Sequence, residues 1–259
     1  RAAAFLQAGE PLGVGVAAIM GLLATPVLGW RLVFLVSSAT AILAFVARRH
    51  LPESELWKRQ KEDQLSPRRA LAWMYRHNFV APLLKGWILG VFKLGTYWTC
   101  YVWLPRFLQQ QFGQPVGRSA VWILTAQSGQ LVGMLAFGFI ADRYGRRQAY
   151  TAYSILTAAA IYGLAFHWQW LLLEPARFWT VMLAMGIGSG CTAGFGALLA
   201  ELFPTHVRNF AMGTSYNCAR GVQFFAPLLV SFFVGLYGVR GGLSVPMVLA
   251  LARSEERRV

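Results

Sequence analysis

Residues 119–147, SAVWILTAQSGQLVGMLAFGFIADRYGRR, decide the fold of this chain. The first 23 of these residues carry no charged side chain. A helix that crosses the hydrocarbon core of a bilayer needs about 20 such residues. The next six residues add one acid and three arginines, namely Asp142, Arg143, Arg146 and Arg147. An uncharged helix that ends in a short basic loop indicates a membrane-spanning chain.

The same alternation of apolar spans and short charged loops recurs along the 259 residues, of which 56% are hydrophobic and 13% charged. Soluble domains carry about 25% charged residues. No β pattern competes, because strict alternation is absent and each span exceeds a barrel strand in length. We therefore predict an all-α membrane protein. Its eight spans cover residues 3–24, 30–48, 80–105, 119–141, 149–166, 177–199, 210–236 and 241–252, the last too short to cross a bilayer.

The distribution of lysine and arginine predicts the orientation of the chain. With a cytoplasmic N-terminus, 17 of the 24 basic residues fall in cytoplasmic segments, 5 in outward-facing segments and 2 within spans. Cytoplasmic loops carry such an excess, so we expect both termini in the cytoplasm and a bacterial inner-membrane location. The same bias explains the net charge of +14 and argues against nucleic-acid binding.

The long charged loop at residues 49–79 is predicted to link two helical bundles. Its stretch 67–77 has two open interpretations: a surface helix with Trp73 and Tyr75 at headgroup depth, or a solvated loop. A weak repeat, Gly29-Trp30-Arg31 and Gly238-Val239-Arg240, is typical of transporters built by duplication. The glycine run 186–190 lacks the context of a phosphate loop and is explained better by close helix packing.

The cysteines and histidines predict neither a metal nor a cofactor. All three cysteines lie within apolar stretches, the four histidines lie in or beside loops, and no metal-ligand spacing is present. The charged loop that follows residue 141 has two interpretations. Its arginines can pair with Asp142 or with acids on neighbouring helix ends and latch one conformation, or they can serve only to set the topology.

Residues 138–147, GFIADRYGRR, resemble the cytoplasmic loop signature of the major facilitator superfamily, with every defining position matched. Pro52-Glu53-Ser54 resembles the element that follows the sixth helix of sugar-porter-like and metabolite–proton symporter members. The segment 201–208, ELFPTHVR, resembles the element after the tenth helix. Three such elements occur in the order and on the loop sides that the family requires.

The resemblance implies that the spans are helices five to twelve of a twelve-helix transporter, truncated at both ends. Residues 1–48 would then hold the last two helices of the N-terminal bundle, 49–79 the inter-bundle loop, and 80–259 the C-terminal bundle. The family also implies an intracellular charge network that holds the cytoplasmic side shut when the site faces outward. In this chain its members are Asp142, Arg143, Arg146, Arg147, Glu201 and Arg208.

Three ionisable residues lie well inside spans, where a charge costs roughly 2.5–3.5 kcal/mol and marks a functional candidate. Lys93 shares a helix face with Tyr97 and Tyr101, and Arg220 follows Tyr216 and Asn217. The family geometry places both cations around the central cavity, where they would suit a carboxylate substrate. The alternative is that Glu10 or the absent half of the protein neutralises them.

Glu10 is the one acid well inside a span. Desolvation disfavours the charged form of a carboxyl group, so Glu10 is a candidate for proton coupling. Its alternative role is to pair with Lys93 or Arg220. Gln127 and Gln130 lie three residues apart on one helix face and can hydrogen-bond either the substrate or a neighbouring helix.

We therefore predict a secondary active transporter that works by alternating access and carries a small organic anion together with protons. We expect it to be a monomer in membrane lipid, without cofactor. Sugar uptake and drug efflux are the alternatives within transport. A membrane-embedded enzyme lacks a catalytic constellation in this sequence, and a non-transporting receptor or scaffold of the same fold is a further class.

Overall fold

The computed structural model describes residues 2–50, 65–98, 100–101 and 116–254, and within these ranges it contains helices and no strand. The helices are α1 (Ala2–Gln7), α2 (Gly9–Leu23), α3 (Thr25–His50), α4 (Pro67–Arg76), α5 (Val80–Trp98), α6 (Val116–Tyr144), α7 (Arg146–Phe166), α8 (Trp168–Leu173), α9 (Pro175–Ser189), α10 (Phe195–Leu202), α11 (Thr205–Val222) and α12 (Ala226–Ser254). Two 3-10 turns, Gly190–Gly194 and Gln223–Phe225, join α9 to α10 and α11 to α12.

Within the described residues, six helical segments are long and apolar enough to cross a membrane, and counting the pair α4–α5, bent by 112°, as one span gives up to seven. The six are Ala2–Leu23, Thr25–His50, Ala120–Tyr144, Arg146–Phe166, Pro175–Leu202 and Thr205–Gly238. A shorter apolar helix, Gly241–Leu251, corresponds to the predicted eighth span. The prediction of an all-α membrane fold is confirmed; residues 102–105 of the third predicted span lie outside the described residues.

Glycines bring the backbones of α6 and α9 into direct contact. A Cβ atom at Gly133 would lie 2.8 Å from the Cα of Ile187, and one at Gly186 would overlap the carbonyl oxygen of Ala126. Gly190 is packed equally tightly against Gly133. Close helix packing therefore accounts for the glycine run, as expected for small residues between membrane helices.

The two repeated triplets mark breaks in the helices. Gly29 has φ 72° and Gly238 has φ 65°, and each interrupts the helical dihedral angles of its segment, α3 and α12 respectively. Side chains other than glycine rarely adopt positive φ. The shared Gly-x-Arg pattern thus coincides with the same backbone feature, a glycine-dependent turn between two helical stretches.

Of the two interpretations of residues 67–77, the helix is correct. Ala70 and Met74 on α4 are fully buried in a cluster with Phe203, which precedes α11, and Val207 in its first turn. The Trp73 ring packs edge-on against His206, with 4.4 Å between ring centroids. Trp73 therefore packs against the protein, beside the start of α11. Tyr75 is exposed.

Candidate functional site

A cavity of about 350 Å³ lies where α1, α2, α5, α11 and the 3-10 turn 190–194 meet. Ligand sites in proteins are concave and combine apolar walls with a few polar groups that fix orientation. Its walls are formed by Gln7, Glu10, Lys93, Leu94, Tyr97, Trp98, Thr192, Tyr216 and Arg220. All three ionisable residues that the sequence places inside spans therefore face one cavity.

Lys93 is buried, with 6% of its surface exposed. Its ammonium nitrogen lies 4.4 Å from the centre of the Phe195 ring and 5.7 Å from the centre of the Tyr216 ring. Both distances are within the range of cation–π attraction. Gly90 lets α5 approach both α10 and α11, because a Cβ at position 90 would lie 2.8 Å from the Cβ of Ala219 and 3.5 Å from the ring of Phe195.

Glu10 and Arg220 are both exposed side chains at the cavity wall. In the part of the chain that the structure describes, neither residue takes part in an ion pair. Glu10 lies within the membrane-spanning segment Ala2–Leu23, and its carboxylate borders the open space of the cavity. Either group is available to a ligand or a proton from that space.

Two tyrosines stack on the α5 side of the cavity. The rings of Tyr97 and Tyr101 have centroids 4.7 Å apart and are inclined by 26°. Tyr97 lines the cavity and interacts with the side chains of Glu10 and Gln127. Tyr101 contributes to the buried cluster beside α7 and α9 and lies behind Tyr97 rather than at the cavity wall.

Three other polar residues that the sequence predicts for the site, Gln127, Gln130 and Asn217, do not line the cavity. Gln127 and Gln130 on α6 are buried, with 3% and 0% of their surfaces exposed. Asn217 is exposed and its side-chain amide donates to the carbonyl of Gly213 at 2.8 Å. A hydrogen bond within α11 thus occupies the Asn217 amide.

The cavity also contains residues that the sequence analysis did not single out. Gln7 lies three residues before Glu10 and shares its helix face, so helical spacing was an available signal. Thr192 lies in the 3-10 turn after the glycine run, which the sequence analysis assigned to packing alone. Trp98 adjoins Tyr97 on α5, and no pattern in the sequence distinguished it from other exposed tryptophans.

The predicted charge network lies around the turn that connects α6 to α7. The guanidinium of Arg146 forms an ion pair with the carboxylate of Glu201, which joins the start of α7 to α10. Gly145, with φ 92°, makes the tight turn that precedes Arg146. Arg208 donates from Nε to the Phe203 carbonyl at 3.2 Å. Asp142, Arg143 and Arg147 are exposed around the same turn, with Arg143 over the Tyr144 ring.

Apolar helices of membrane-spanning length around a polar cavity define an integral multi-pass membrane protein. No group of three or more His, Cys, Asp or Glu side chains suited to a metal occurs in the described ranges. The family model of the Major Facilitator Superfamily matches residues 1–128 and 117–252. The chain belongs to the major facilitator superfamily, whose members are transporters rather than enzymes.

Curated relatives are transport proteins of bacteria. A putative metabolite transport protein of Haemophilus influenzae is 29% identical over 263 residues, covering 96% of this chain and 62% of that protein. The cis,cis-muconate transport protein of Acinetobacter baylyi is 26% identical over 88% of this chain and 55% of its own length. A probable 4-methylmuconolactone transporter of Cupriavidus pinatubonensis is 28% identical, with coverages of 86% and 52%. The chain thus spans a little over half the length of these relatives.

Proposed function

We propose that the protein carries small organic anions across the membrane by alternating access and couples their movement to protons. The observation that carries the proposal is the presence of Lys93 and Arg220 at the wall of one cavity, within helices that cross the membrane. Cations are costly at this depth, and a passing anion would offset that cost.

The chemistry of the two cations favours a carboxylate. An arginine guanidinium presents two parallel donors that match the two oxygens of a carboxylate, while a lysine ammonium supplies a compact charge. Two relatives are named for the transport of cis,cis-muconate and 4-methylmuconolactone. An organic acid or a related small metabolite is therefore the substrate class that we assign to this cavity.

Glu10 is the proposed site of proton coupling. It borders the same cavity as both cations, so its charge state would change the field that an anion meets there. A protonated Glu10 leaves the site more positive and favours anion binding. An ionised Glu10 opposes binding and favours release, which links the two movements.

The alternating motion would move two helical bundles against each other. Residues 1–48 would supply the last two helices of the first bundle and residues 80–259 the second bundle, with residues 49–79 as the loop between them. The pair Arg146–Glu201 and its charged neighbours would hold the cytoplasmic side shut while the cavity faces outward. We further propose cytoplasmic termini, an inner-membrane location and a monomeric state.

Solute counterflow with the complete protein in liposomes tests this function. We expect exchange of labelled organic acids by the wild type and at least about a tenfold weaker apparent affinity in Lys93→Gln and Arg220→Gln, since each removes a charged hydrogen bond. Lys85→Gln is the matched control, because Lys85 lies on the same helix, is exposed, and is outside the cavity. Equal affinities in all four proteins would disprove the anion site.

A further inference from the structure

A short amphipathic helix, α4, precedes the apolar helix α5 and is bent by 112° from it. Asn78, with φ 59°, lies in the turn between them, and the N–H of Phe79 donates to the Met74 carbonyl at 2.8 Å across that turn. This hydrogen bond and the positive φ are those of a Schellman motif, which ends a helix. The bend is therefore built into the end of α4.

Charge decides which of the two helices enters the membrane. Helix α4 carries three arginines among its ten residues, and charges are costly at the centre of a bilayer. Helix α5 is apolar over its 19 residues except for Lys85 and Lys93 and a few uncharged polar groups. The spanning part of the pair is therefore α5. Because α4 is bent by 112° from it, α4 runs closer to the membrane plane than to the membrane normal.

Packing against the protein covers only part of the apolar surface of α4. Ala70 and Met74 are fully buried in the cluster that includes Phe203. Leu71 and Tyr75, which lie one helical turn apart on the adjoining face, are 54% and 77% exposed. Helix α4 thus presents an apolar ridge, formed by Leu71 and Tyr75, beside the face that holds it to the protein.

The rest of the α4 surface is basic. Its three arginines, Arg68, Arg69 and Arg76, are all exposed. Residues 65–98 contain no aspartate or glutamate, so no acid within α4 or α5 neutralises these arginines. An exposed apolar ridge flanked by basic side chains is typical of a helix that lies in the membrane interface and attracts anionic lipids.

We propose that α4 is a membrane-surface anchor that binds anionic phospholipids. Leu71 and Tyr75 enter the boundary between headgroups and acyl chains. The three arginines bind the lipid phosphates, whose oxygens match the paired donors of a guanidinium. The net negative charge of the lipid is what distinguishes it from a zwitterionic lipid at this surface. The anchor acts on lipid and is independent of the solute that the cavity binds.

Local quenching by labelled lipids tests the anchor. A fluorescent dye is attached to Tyr75→Cys in the complete reconstituted protein, in which the exposed Cys218 is replaced by serine. Phosphatidylglycerol or phosphatidylcholine carrying a nitroxide is added at the same low fraction to phosphatidylcholine liposomes. We expect both lipids to quench the dye and the labelled phosphatidylglycerol to be enriched about fivefold near it, the gain that one arginine provides at an anionic headgroup. Added salt should reduce this enrichment.

Two double variants that each remove two charges locate the lipid site. Arg68→Gln combined with Arg76→Gln should abolish the enrichment of phosphatidylglycerol near residue 75. Arg48→Gln combined with Arg49→Gln, at the end of α3, should preserve it. A dye at Phe232→Cys, an exposed position on α12, should be quenched equally by the two lipids.

Three outcomes would overturn the anchor. Absence of quenching by either lipid would show that the ridge of Leu71 and Tyr75 does not enter the membrane. Equal quenching by both lipids would show that the arginines select no anionic headgroup. Equal loss of enrichment in the two double variants would show an effect of total charge rather than a site on α4. None of these results bears on the proposed transport of anions, because none of the changed residues lines the cavity.

Discussion

The ammonium nitrogen of Lys93 lies 4.4 Å from the centre of the Phe195 ring, which joins α5 to the first residue of α10. A ring stabilises a cation without cancelling its net charge. Lys93 thus lies at the cavity wall, and packing between helices fixes its position.

Phe195→Leu is expected to weaken binding of the organic anion by about three- to tenfold, because loss of a partly desolvated cation–π contact removes roughly 1 kcal/mol and loosens the lysine. Equilibrium binding measured by titration checks this. Phe232→Leu, an exposed phenylalanine on α12, is the matched control and should bind normally. Unchanged affinity in Phe195→Leu would show that the ring does not position the cation.

Glu10→Gln is expected to abolish accumulation of substrate driven by a pH gradient and to leave counterflow intact, because glutamine keeps the shape but does not titrate. Uptake and counterflow in the same liposomes provide the comparison. Glu174→Gln changes an acid that pairs with Arg177 at 3.0 Å, away from the cavity, and should leave both activities unchanged. Normal gradient-driven uptake by Glu10→Gln would remove Glu10 from the coupling mechanism.

Reversing the charge of either Arg146 or Glu201 alone should slow transport. Reversing both charges together should restore part of the transport rate. Arg146→Glu places two acids together and Glu201→Arg two bases, whereas the double variant again pairs opposite charges. An exposed pair contributes less than about 1 kcal/mol, so we expect a fewfold change in uptake rate at equal expression. A double variant as slow as the slower single variant would argue against a functional pair.

Gly186→Ala should destabilise the helix bundle by about 1–3 kcal/mol, as overpacking of a tight interface usually does. The added methyl group would overlap the Ala126 carbonyl on α6. Gly196→Ala is the control, since no atom lies within 4 Å of the position its methyl would occupy. Thermal unfolding in detergent should show a lower midpoint for Gly186→Ala alone.

Several features follow directly from local sequence. Lipid excludes charge, so uncharged stretches of spanning length located the helices, and the glycine triplets at 29–31 and 238–240 coincided with turns at positive φ. For the amphipathic stretch 67–76 the sequence did not distinguish a helix from a loop, because a helix there is stable only when its apolar face has a packing partner. That partner, around Phe203 and Val207, is more than 120 residues away in the chain.

The sequence by itself determined that this protein is a helical membrane protein, because hydropathy and charge act on each segment separately. It also identified Glu10, Lys93 and Arg220 as costly charges inside spans. Only the tertiary structure decided that these three share one cavity and that Gln127 and Gln130 are buried instead of lining it. The contacts that bring distant helices together depend on packing across glycine surfaces, which no local pattern specifies.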